Sequence, residues 1–181
     1  MRRWLAWPMG AALLFGAWLV TLATPTADAD EAPFVVPAAL GEEARGRSIT
    51  VTVTDVRLAE RVSAGAWAGE GVWLVVDLDA AAAREEDRTA LGGASLAIGE
   101  RTYRASERPP SLFQQPLLVG IPREGSLAFE LPPDAVDEQA VLRLSGDWET
   151  RLDSLIELPL DLADLDPVDS VELTETGWAR P

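Results

Sequence analysis

Beyond residue 47 the apolar residues of this chain recur with a period of two, and no segment after Ala23 carries the period of a long helix. Ile49, Val51 and Val53 alternate with Ser48, Thr50, Thr52 and Thr54, which predicts a half-buried strand. The apolar parity then moves to Val56 and Leu58, which places a bulge or bend at Asp55. Gly65 to Gly71 reads as a glycine-rich loop carrying Trp67. Val72 to Asp79 is almost continuously apolar, as a central strand buried on both faces would be. Ala80 to Thr89 reads as a connection between strands. Leu96 and Ile98, the turn Gly99-Glu100, and Thr102 to Ala105 predict a hairpin. Leu127, Phe129 and Leu131 form a one-sided strand stopped by Pro132-Pro133, and Ala140, Leu142 and Leu144 form another. Leu155 to Leu160 gives a last strand. Pro159 has no N–H to donate, which demotes that strand to a sheet edge. About seven or eight short strands at regular spacing predict an all-β, antiparallel sandwich preceded by one hydrophobic helix.

The N-terminus bears on location. Met1-Arg2-Arg3 is followed by Trp4 to Ala23, without a charge. Twenty residues of helix rise about 30 Å, the thickness of a hydrocarbon core. Two readings are open: a transmembrane anchor, or a signal peptide cut near Ala27-Asp28-Ala29. Pro8 and Gly10 would shorten the continuous helix to about Ala11–Ala23. Both readings leave the arginine pair inside and the rest of the chain outside. The expected organisation is a signal or anchor over 1–27, an acidic stalk over 28–46, the sandwich over 47–161 and an acidic tail over 162–181.

Composition restricts the chemistry. The chain has no histidine, cysteine, lysine or asparagine. Imidazole bases, thiolates, Schiff-base amines and His/Cys metal sites are therefore excluded. A GC-rich coding genome would by itself account for the missing lysine and asparagine. The absence of cysteine also excludes disulfides and a lipid-carrying N-terminal cysteine. Net charge is −15, and from Asp147 onward ten acids against Arg151 and Arg180 leave −8. A polyanion repels phosphate backbones, so nucleic acid is not an expected partner.

The strand order SITVTVTDVRLAE, GVWLVVDLDAAA, LAIGERTYRAS, SLAFELPPDAV and VLRLSG resembles the bacterial telokin-like, immunoglobulin-like domain of exported and membrane-anchored Gram-positive proteins. The resemblance covers about Arg47 to Leu160 and rests chiefly on Phe129 to Pro132. Asp79-Ala80-Ala81 stands where that family commonly turns through an Asn-Gly-like pair. The resemblance implies an immunoglobulin-like fold, an extracytoplasmic place and a binding role, with no shared catalytic residues.

Among candidate constellations, Asp77 and Asp79 share one strand face and, with Trp67 and Trp73 nearby, have the residue types of a carboxylate glycan hydrolase. The bland alternative is two acids ending a strand at a solvated edge. Asp161, Asp164, Asp166 and Asp169 lack the glycine of a calcium loop, and Pro167 interrupts them. Gly92-Gly93 lacks the lysine and helix of a phosphate loop. No cofactor and no metal is expected. Candidate partner-binding residues are Trp67, Trp148, Trp178, Arg101 and Arg104. Arg101 and Arg104 have opposite strand parity and do not form one stripe. The expected function is a non-catalytic binding or accessory module of the cell envelope, meeting a membrane or envelope protein. A structural envelope protein and a wall-glycan hydrolase are the alternatives.

Overall fold

A computed structural model describes residues 6–23, 32–84 and 89–179. They fall into two units, one within Met1–Ala32 and one comprising Pro33–Pro181. The first contains a helix, α1 (Ala6–Ala23), which runs through Pro8 and Gly10 instead of starting after them. Pro8 lies in the first turn, where its missing N–H has no helical acceptor to lose. At 18 residues α1 rises about 27 Å. Among the described residues no helix is long and apolar enough to cross a membrane; Trp4 and Leu5 of the expected anchor lie outside them. The Ala27–Ala29 cleavage signal lies outside the described residues.

The second unit is a two-sheet β-sandwich, as the alternation predicts. Its strands are β1 (Phe34–Pro37), β2 (Glu43–Arg45), β3 (Ile49–Ala64), β4 (Trp67–Ala82), β5 (Gly93–Ile98), β6 (Arg101–Arg104), β7 (Arg123–Leu131), β8 (Gln139–Ser145), β9 (Ser154–Asp161), β10 (Val171–Glu172) and β11 (Gly177–Trp178). One sheet has the order β1-β9-β8-β5-β6; the other has β10-β3-β4-β7-β11, with β2 also on β3. Most pairs are antiparallel, but β1 runs parallel to β9 and β10 parallel to β3. Between the sheets, inward residues such as Leu74, Val76, Leu78, Phe129, Leu96, Leu142 and Ile156 form one core.

The parity change at Asp55 is a register shift between Val53 and Asp55, as the sequence predicts. A second shift between Ala59 and Arg61 accompanies a smaller core on the outer face of the second sheet. There Ala59, Val62, Trp73, Val75 and Ala128 pack with Val171 and Leu173, and Trp67 covers them in part. The C-terminal segment thus closes an outer face that the inner core cannot reach. Burying Trp73 and Val75 on one face and Leu74 and Val76 on the other explains the continuous apolar run of β4.

Four expectations differ from the structure. The segment 28–46, expected as a stalk, contributes β1 and β2. The tail over 162–181 contributes β10 and β11, and Glu172 of its acids lies in a strand. Gly65 to Gly71 is not an open loop, since β4 already begins at Trp67 and pairs with the end of β3. Pro159 lies in a strand that has a neighbour on each side at Ile156 and Glu157. β1 ends opposite Glu157, so Pro159 sits where only β8 remains to be paired and its missing N–H costs nothing.

Candidate functional site

Each of the four tryptophans in the sandwich lies against an arginine. On the first sheet, Arg104 at the end of β6 places its guanidinium 3.7 Å from the centroid of the Trp148 ring, which projects from the β8–β9 loop. On the second sheet Arg108 lies 5.7 Å from the centre of Trp67 and 5.8 Å from that of Trp73, and it pairs with Glu130 at 2.8 Å. The two indoles meet edge to face at 5.8 Å. Arg123 stands 4.8 Å from the Trp178 ring and donates to the Pro116 carbonyl at 2.9 Å. A cation over an aromatic face is attracted by the ring quadrupole, most strongly where water is excluded. Trp73 is fully buried, and its indole N–H has no hydrogen-bond partner among the described residues.

The candidate residues therefore do not gather in one place. Trp148 and Arg104 form a unit of their own. Arg101, three residues earlier, turns to Asp134 at 2.9 Å and Glu138 at 3.0 Å. The hydrogen bond with Asp134 holds the Arg101 pKa above its ordinary value, against the opposing effect of burial. Trp67 belongs to the outer core, and Trp178 to β11 beside Arg123.

Asp77 and Asp79 both stand on the outer face of β4, and their surroundings differ. Asp77 is tied on both oxygens: Arg57 donates to Oδ2 and the Ser126 hydroxyl to Oδ1. Ser126, itself fully buried, also accepts the N–H of Thr174 at 2.8 Å. This chain of contacts fastens the C-terminal segment to the sheet. Asp79 is opposite Glu124 of β7. Burial and then the Glu124 charge push its pKa above the ordinary 3.8. Among the described residues no group of three metal-ligating side chains occurs.

Sequence reasoning missed an opening beside this outer face. A cleft of about 600 Å³ lies between the β3–β4 turn (Ala64, Gly65, Ala66), Pro110, Ser111 and Gln115 of the β6–β7 connection, Arg123, and the C-terminal run Glu172–Thr176. A second hollow of about 450 Å³ adjoins it around Glu107 to Gln115, sharing Pro110, Ser111 and Gln115. Volumes of this size suit small ligands or short peptide segments. The signal available in sequence was slight, because the walls come from a tight turn, a Pro-Pro connection and a segment with two-residue strands.

No family model matches the chain, and no curated protein is significantly similar to it. Solved structures share its architecture. An uncharacterized β-sandwich protein from Clostridium difficile 630 covers 74% of this chain with 99% of its own length, at 11% identity and a TM-score of 0.48. A candidate lipoprotein from Staphylococcus aureus subsp. aureus NCTC 8325 covers 74% with 97% of its own, at 8% identity and a TM-score of 0.50. At such identities the likeness concerns the fold alone.

Proposed function

We propose that this protein is a non-catalytic binding or accessory module of the cell envelope, exported by its N-terminal segment and displayed outside the cytoplasmic membrane. The observation that carries the reading is the outer face of the second sheet. Its best-placed reactive group, Asp77, is spent on Arg57 and Ser126, while an open cleft of mixed polar and apolar lining is found on the same unit. Recognition needs such a cleft, and hydrolysis by paired carboxylates needs both acids available. The inventory of side chains points the same way, since serine hydroxyls here have no imidazole or amine to activate them. The telokin-like, immunoglobulin-like resemblance belongs to this reading, as does a membrane or envelope protein as partner. Export is supported by the positive start and the uncharged run to Ala23.

Protease treatment of intact spheroplasts producing the full chain tests the reading. Digestion of the sandwich, with a cytoplasmic marker protected, is the expected result. A sandwich protected until lysis would overturn it. Sequencing the N-terminus of the mature chain then distinguishes cleavage near Ala29 from retention.

A further inference from the structure

One wall of the cleft over the second sheet differs from the others. Between β10 and β11 the chain runs for four residues, 173–176, outside any ladder. Its first two amides are committed: Leu173 N–H donates to the Ser63 carbonyl at 2.8 Å and Thr174 N–H to the Ser126 hydroxyl at 2.8 Å. No hydrogen bond engages the N–H of Glu175 or of Thr176 among the described residues. A stretch of backbone with unpaired amides is a template for another extended chain. The facing turn, Ala64-Gly65-Ala66, has little side-chain bulk and leaves room for a second backbone.

The charges of the lining select what that chain should carry. Glu172 and Glu175 are exposed and take part in no ion pair among the described residues. Arg123 is the single cation of the lining, and it is already held by the Pro116 carbonyl and the Trp178 face. Two carboxylates without an ion pair therefore line the cleft against one arginine, and its lining carries a net charge of −1. Ser111, Gln115 and Thr176 add hydroxyl and amide groups able to meet polar atoms of a ligand.

We infer that the cleft receives a short extended peptide segment bearing lysine or arginine, aligned along Leu173–Thr176 with its cations toward Glu172 and Glu175. The inference rests on the reading of the body as a binding module and names the chemistry of its partner. Main-chain pairing supplies affinity in this mode, and the carboxylates supply the preference for a basic segment.

The test is a titration of the ¹⁵N-labelled full chain in detergent micelles. Three probes are used: an acetylated and amidated five-residue peptide alternating threonine and lysine, its counterpart with glutamate for lysine, and a neutral chitin trisaccharide. The lysine peptide should shift the Glu175 and Thr176 amides, and the glutamate peptide should not. Exchanging both carboxylates, Glu172→Gln with Glu175→Gln, should weaken the lysine peptide about five-fold; both residues are exposed, so the fold is expected to persist. Equal binding of the two peptides, shifts mapping elsewhere, or no shift at millimolar peptide would overturn the inference. Trisaccharide shifts at the same amides, with both peptides silent, would overturn the peptide assignment and leave the binding-module reading standing. Silence of all three probes would overturn the inference and count against the cleft as the module's binding surface.

Discussion

The guanidinium of Arg104 lies 3.7 Å from the ring centroid of Trp148, joining the last residue of an edge strand to the loop between β8 and β9. Trp148 is about half exposed, so the pair is partly screened by water. The face of the indole that Arg104 occupies is closed to any other stacking partner. For a partly exposed pair the attraction is worth about 0.5–1 kcal/mol. A double-mutant cycle with Arg104→Ala and Trp148→Ala, read by urea denaturation, should return a coupling energy of that size. A coupling near zero would show the contact to be incidental.

Ser126 is expected to matter more than its size suggests. It is fully buried, donates to Asp77 and accepts from the Thr174 amide. Ser126→Ala leaves the Thr174 N–H without its partner and Asp77 Oδ1 with only a 3.5 Å contact from the Thr174 hydroxyl, which costs about 1–3 kcal/mol. The loss should be local first, with faster hydrogen exchange at the Thr174 amide than in β4. Exchange that rises uniformly through the second sheet would contradict the role of Ser126 as a fastening point.

These two sites mark how far the sequence could be read. Alternation located β3, β7 and β8, and the parity change exposed the bulge at Asp55, because each signal is local to one strand. The beginning of β4 was hidden by glycines. A side chain at Gly69 would meet the Trp67 ring at 2.8 Å and the Trp73 ring at 3.1 Å, so this glycine makes room for two indoles within a strand. β1, β2, β10 and β11 are two to four residues long and have no period of their own. Their pairing is fixed by distant strands, and so are the arginine on each indole and the cleft. Tertiary placement, not propensity, determines them.

Asp79 gives the stability a pH dependence with a definite sign. Burial and Glu124 raise its pKa in the fold above 3.8, so on raising the pH the unfolded chain gives up this proton first. The fold is therefore unpenalised below 3.8, and the penalty grows until the pH passes the raised value. Asp79→Asn removes the charge and with it the penalty. Its thermal midpoint should exceed that of the parent at pH 7, and the advantage should shrink toward pH 3. An advantage greatest at pH 3 would contradict the assignment.

Gly93 and Gly177 should differ sharply in their response to the same added methyl. A Cβ at Gly93 would overlap the Ser145 hydroxyl and stand 2.8 Å from the Asp147 carbonyl oxygen, while the preceding Gly92 faces the Gly146 carbonyl at 2.7 Å. The Gly-Gly pair thus lets the start of β5 approach the end of β8, a steric task unrelated to phosphate binding. Carbonyl oxygens cannot swing aside as the end of a flexible side chain can, so Gly93→Ala should cost about 3 kcal/mol. At Gly177 the nearest atom is the Glu124 carboxylate at 3.7 Å, an ordinary contact, and Gly177→Ala should change stability by less than about 0.5 kcal/mol. Chemical denaturation of the two variants beside the parent measures both. Comparable losses at the two positions would mean that backbone conformational freedom, and not the close approach to Ser145 and Asp147, is what Gly93 provides.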